Sequence, residues 1–193
     1  MANRNSAGFG LIAQGTLGST PATGGQGKYY IVAAYGTTLY NGTTVKQSGG
    51  YVITAQAAIT NTSIGVLNGV FYNAATTLKP TWSAHYTDVT PANSENTTAF
   101  VIDNPFQLYV TSFDTAIPIA NMGKTFGMST ITGSTLSGQS TNSMLLAGGH
   151  ATNNTWRTVR IAEDPENSDI TNTLCSVVVV QNLNQYLSAR TMG

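Results

Sequence analysis

Two glycine-rich runs are the first places where this sequence could do chemistry, because backbone N–H groups freed by glycine can cradle phosphate. In Gly24-Gly25-Gln26-Gly27-Lys28 a phosphate loop needs glycine at position 22 and Ser or Thr at 29, but Ala22 and Tyr29 stand there. Gly8-Phe9-Gly10 lacks the third glycine of a dinucleotide fingerprint, with Ala13 in its place, and no strand-helix-strand pattern surrounds it. Metal chemistry needs several His, Cys or carboxylate side chains at ligand spacing, and His85, His150 and Cys175 lie far apart. Cys175 opens a Val-rich run and reads as a small buried hydrophobe. His85 reads as a surface or packing residue, and His150, after Gly148-Gly149, has no carboxylate nearby in sequence. Carboxylates do gather in Glu163-Asp164-Pro165-Glu166-Asn167-Ser168-Asp169, directly after Arg157 and Arg160. Pro165 breaks the spacing of a calcium loop, and the Gly and terminal Glu of an EF-hand are missing. The run reads as an ordered polar loop at an interface. No Ser, His and Asp grouping is identifiable from spacing, so the chain is expected not to be an enzyme and to use no cofactor or metal.

Composition explains why so little chemistry is on offer. Of 193 residues only 16 are charged, 8 cationic and 8 anionic, while the hydrophobic fraction is an ordinary 41%. Thr (30), Asn (17) and Ser (15) replace charge as the source of polarity. Eight scattered cations cannot form the basic stripe that neutralises nucleic-acid phosphates, so no nucleic acid is expected as a partner. Disorder is not expected either, since disordered chains combine low hydrophobicity with high net charge. A single cysteine excludes an internal disulfide framework. No secretory apolar segment follows Arg4, and no run approaches a membrane span, so no membrane partner is expected.

The elements that must position any site read as β. Residues 5–27, 47–78 and 125–156 carry no charge, whereas surface helices normally carry Lys and Glu on their wet face. Residues 1–27 hold seven Gly and one Pro around a brief apolar patch, and are expected to form an extended Gly-rich N-terminal arm. Residues 28–193 are expected to form a single β-rich domain, opening at Tyr29-Tyr30-Ile31-Val32. Asn41-Gly42 and Asn68-Gly69 predict two hairpins, pairing 37–40 with 43–46 and 64–67 with 70–73. Further strands are expected at 50–57, 97–103, 106–113, 143–147, 156–162 and 174–181, with a short helical turn in 115–122. In the 106–113 strand, alternation puts Phe106, Leu108 and Val110 on the core face and Gln107, Tyr109 and Thr111 on the wetter one. Val177 to Val180 predicts a central strand covered on both sides. The fold class expected is all-β and mostly antiparallel, a β-sandwich or barrel with jelly-roll-like connections.

From Ile64 onward the residues resemble a known family. The blocks are Gly65-Val66-Leu67-Asn68-Gly69-Val70-Phe71-Tyr72, Lys79-Pro80-Thr81-Trp82-Ser83 with Tyr86, and Thr98-Ala99-Phe100-Val101-Ile102-Asp103-Asn104-Pro105-Phe106 with Val110. Together with residues 160–184 they resemble the capsid decoration, or cement, proteins of tailed bacteriophages, over roughly the last two-thirds of the chain. The resemblance implies a β-rich protein on the outer capsid surface of a virion, with no catalytic residues to carry over. It also implies the major capsid protein as partner, and a homo-oligomer, a trimer before a dimer. On that reading Arg4, Phe9, Leu11 and Ile12 of the arm, with Arg157, Arg160, Glu163 and Asp164, are the candidate capsid or neighbour contacts. The alternative is a carbohydrate- or receptor-binding β-sandwich, in which Trp82, Tyr86 and Trp156 would stack on sugars.

Overall fold

Short runs of β-branched and aromatic residues, punctuated by glycine, fold into two antiparallel sheets packed as an all-β sandwich. The computed structural model describes residues 2–18, 25–55, 62–146 and 154–187. The strands are β1 Ile12–Thr16, β2 Gly27–Ile31, β3 Thr44–Ser48, β4 Tyr51–Thr54, β5 Gly65–Asn73, β6 Pro80–Ser83, β7 Thr97–Ile102, β8 Gln107–Ser112, β9 Thr125–Met128, β10 Met144–Leu145, β11 Trp156–Ile161 and β12 Ser176–Gln181. The first sheet runs β1-β8-β12-β11-β9-β10, and the second runs β2-β7-β5-β3-β4 with β6 added to β5. Within the expected helical turn, Ile119–Asn121 forms a single 3-10 turn.

Each sheet has its own core. Tyr109, Phe113, Phe126, Trp156, Val177 and Val179 of the first sheet's neighbourhood gather with Leu11 and with Val66 from the second sheet. Ile31, Val45, Leu67, Val70, Ala99 and Val101 of the second sheet gather instead with Leu39 and Tyr86. The second sheet curls until β4 comes against β2, and the Thr54 N–H donates to the Tyr35 hydroxyl at 3.1 Å across that closure. Side-chain bonds join the sheets: the Trp156 indole N–H donates to Thr44 Oγ1 at 3.1 Å, and the Tyr109 hydroxyl donates to the Ile102 carbonyl at 3.1 Å.

Four expectations change. The described part of the Gly-rich segment is not an arm outside the domain: β1 pairs with β8 as an edge strand of the first sheet, and Leu11 is 2% exposed in the core. Residues 2–18 thus supply a strand and a core side chain. The Asn41-Gly42 hairpin does not form. Only Gly42 of the pair has positive φ (+85°), whereas a type I′ turn needs it at both residues. The segment crosses β5 instead, with the Gly42 N–H donating to Leu67 O and the Asn41 N–H to Gly138 O. The second hairpin is absent because β5 runs straight through Asn68-Gly69, with a bulge between Leu67 and Gly69 against β7. Its first residues pair with β3 and its last with β6. The tight hairpin of this region is β3-β4, turned by Gly49 (φ +57°) and Gly50 (φ +86°).

The fourth change inverts β8. Gln107, Tyr109 and Thr111 are buried, while Phe106 is exposed and Leu108 and Val110 are half-buried. Tyr109 tolerates the core because its ring packs edge-on against Trp156, at 5.3 Å between centroids, and its hydroxyl has a carbonyl partner. Gln107 is satisfied likewise, donating to Gly15 O at 2.6 Å. The uncharged polar residues therefore do more than wet the surface: Thr43, Thr44, Thr97, Thr111, Thr125 and Thr158 are all buried.

Candidate functional site

Two groups of candidate residues that lie far apart in sequence meet in space. The Arg4 guanidinium pairs with the Glu166 carboxylate, and the Arg4 N–H donates to Glu166 O at 3.2 Å. Asn3 donates to the carbonyls of Asp169 and Thr173 and accepts the Asp169 N–H at 3.0 Å. Asn5 takes the Asn167 side-chain oxygen on its own N–H and donates to Leu174 O. The chain's beginning is thus sewn to the acidic loop. The loop is also braced from within: Asp164 accepts from the Glu166 N–H and the Asn167 amide, and Asp169 accepts from Thr171 and Asn172. The Thr171 hydroxyl, then its N–H, then Asn172 hold the Asp169 carboxyl down to about 2. Both Arg4 and Glu166 are more than half exposed, so their ion pair contributes less than about 1 kcal/mol. The backbone and Asn bonds do the fastening.

The remaining contact candidates are dispersed. Phe9 is half-buried, its carbonyl accepting from Gln139 at 2.9 Å, and Leu11 belongs to the protein's own core. Ile12 is exposed, opposite Val110. Arg157 and Arg160 are exposed on β11, and Arg157 bonds Gly123 O at 2.6 Å and Asn182 Oδ1 at 2.8 Å. Glu163 is exposed and Asp164 half-buried.

Burial removes chemistry from the other named side chains. Cys175 is fully buried, and that burial pushes its thiol up to about 11. Among the described residues no three His, Cys, Asp or Glu side chains converge as a metal site would require. His150 lies outside the described residues.

His85 stacks on Tyr40, 5.9 Å between ring centroids and 9° between planes, and its Nε2 is closed off with no hydrogen-bond partner. Burial lowers its pKa from the ordinary 6.5, so the folded state favours the neutral ring. For a base with a depressed folded pKa, the stability it contributes is complete above the unfolded value and is lost as pH falls below it. The urea midpoint should therefore stay level above about pH 6.5 and fall from there toward pH 5, before carboxylates titrate. In His85→Gln that limb should flatten; an unchanged slope would assign it to another group.

Of the three candidate sugar-stacking aromatics, Tyr86 and Trp156 are 0% exposed, and only Trp82 is open, at 60%. The structure supplies companions that the sequence reading left out. In cross-strand register Tyr30 lies opposite Thr98, Thr98 opposite Phe71, and Phe71 opposite Trp82, so these four share one face of the second sheet. Phe100 is next to them, between Lys28 and Gly69. The same face carries Thr44, Val66 and Ile102, opposite one another across β3, β5 and β7, where the first sheet covers it. Past that cover the row is open.

Comparison of the chain with known protein families, with curated proteins and with solved structures finds no match to any of them.

Proposed function

We propose that the protein is a structural component of a virus particle: a decoration protein on the outer capsid surface that clamps neighbouring major capsid subunits and acts as a homo-oligomer. The observation that carries the reading is the scarcity of charge, 16 side chains in 193, on an antiparallel β body rich in Thr, Asn and Ser. Many copies packed side by side on a shell would accumulate repulsion if each carried a strong net charge, and this chain carries none. Symmetry then multiplies a modest contact into avidity. Ile12, Arg160 and Glu163, all exposed, remain available to a neighbour.

Particles whose genome encodes the chain should contain it in fixed proportion to the major capsid protein, and antibody against it should label the head. Label confined to the tail, or particles that lack the protein, would overturn the proposal. The carbohydrate-binding alternative is favoured by one observation, the open aromatic row.

A further inference from the structure

We propose that the row Tyr30, Phe71, Trp82 and Phe100 binds a linear, neutral, β-linked glycan. The inference does not depend on the virion reading, and either can fail alone.

Gly69 sets the Trp82 indole in place. A Cβ built there would come within 2.8 Å of Trp82 Cζ2 and 3.1 Å of Cε2, so the indole lies directly over the glycine backbone of β5. Glycine lets the ring lie down on the strand, with one face on the sheet and the other toward solvent. At 60% exposure that outer face is open. Tyr30 (56% exposed) and Phe71 (39%) continue the row, and Phe100 is half-buried beside them. A pyranose ring presents axial C–H groups on one side and hydroxyls at its rim. The C–H face matches the electron-rich face of an aromatic ring, and the hydroxyls need polar neighbours. Thr98, in the row itself, supplies such a neighbour.

Spacing favours an extended chain laid across the strands. Tyr30 and Phe71 are two strands apart, about 10 Å, and Phe71 and Trp82 one strand apart, about 5 Å, so the platform advances in steps close to the length of one sugar unit. A β-1,4-linked chain is flat and extended and can touch several such steps. An α-1,4-linked chain curls away.

Other occupants fit less well. Taking about 150–250 Å² per aromatic side chain, the open fractions of Tyr30, Phe71 and Trp82 amount to roughly 300 Å². A stable protein interface buries about 800 Å² on each partner, so the row is too small for a second copy or another protein to hold by itself. Single-stranded nucleic acid also stacks on aromatics, but it needs a cationic groove, and Lys28 is the row's one charged side chain.

The test is calorimetry and tryptophan fluorescence of the full chain with cellohexaose, chitohexaose and maltohexaose. Cellohexaose or chitohexaose should bind and shift the emission of exposed Trp82, with maltohexaose about tenfold weaker or silent. Trp82→Ala should weaken binding about tenfold or more, Trp82→Tyr should restore most of it, and Ile119→Ala, on the exposed 3-10 turn that leads into β9 of the other sheet, should change nothing. Tyr30→Ala makes the same test without touching the Gly69 contact and decides the matter if Trp82→Ala fails to fold. Four outcomes overturn the proposal: no binding of any hexasaccharide at millimolar concentration, binding unaffected by Trp82→Ala and Tyr30→Ala, preference for maltohexaose, or a Trp82-dependent dimer in sedimentation.

Discussion

Replacing Trp156 with alanine should cost about 3–5 kcal/mol, the range for emptying a buried Trp site, against about 5–15 kcal/mol for a whole domain. Trp156 is fully buried, edge-on to Tyr109, and its indole N–H reaches across to Thr44 in the other sheet. Truncation therefore opens a cavity in one core and removes a tie between the sheets in the same step. Trp156→Phe refills most of the volume but leaves Thr44, 2% exposed, without that donor, and so should cost about 1–3 kcal/mol. Adding Thr44→Val should recover part of that loss, because removing both partners leaves no orphaned group. Urea midpoints for the single and double variants give the coupling directly. A Trp156→Ala midpoint no lower than that of Trp82→Ala, at the open end of the second sheet, would mean that Trp156 does not hold the sheets together.

The positions of most strands were legible in the sequence; their partners and faces were less so. Runs such as Val177 to Val180 and residues 97–102 declare themselves by β-branched composition, and they form β12 and β7. The two Asn-Gly pairs misled because a two-residue turn is a statement about φ at both positions, and tertiary contacts set φ here. The chain does turn at Asn41-Gly42, the Thr43 N–H donating to Tyr40 O at 3.1 Å, but Asn41 reaches over to donate to Asn68 O at 2.8 Å instead of opening a hairpin, and Gly69 is needed flat beneath Trp82. Beta-8 shows a second limit. Both of its faces are apolar enough to be covered, with Val110 between Ile12 and Val178 on one side and Tyr109 against Trp156 on the other, so period-two alternation could not choose between them. Counting Thr as surface had the same weakness, since the Thr43, Thr97 and Thr111 hydroxyls are buried without partners. Its β-branched shape suits a strand interior as well as a strand exterior.

The candidate sites were legible only as fragments. Arg4 and the acidic run both stood out as charge in a neutral chain, but their meeting spans 162 residues and depends on Asn3 and Asn5, which no motif marks. The aromatic row draws one residue from each of β2, β5, β6 and β7, and reading a turn at Asn68-Gly69 broke it in two. The charged loop, expected as an ordered polar loop at an interface, makes an ion pair with the chain's own beginning.

Deleting residues 1–17 should leave a protein that aggregates or unfolds at much lower urea, rather than a trimmed but stable domain. The truncation strips β1 from β8 and takes Leu11 out of the core, where Leu→Ala alone costs about 2–5 kcal/mol. It also removes the Asn3 and Asn5 bonds that fasten the acidic loop. The exposed β8 would then present unpaired backbone groups beside Val110 and Leu108, a template for pairing with other chains. Leu11→Ala separates the causes: it empties the core site but keeps β1, so it should lower the urea midpoint while the protein stays monodisperse. Arg4→Ala, which removes only the exposed ion pair, should barely move it. If the truncated chain were soluble, monodisperse and as stable as the intact one, residues 1–17 would be a dispensable arm after all, free to reach a neighbouring subunit. A large loss with Leu11→Ala and little with Arg4→Ala would place the work of this segment inside its own domain, and leave contact with neighbours to the exposed side chains of β1 and β11.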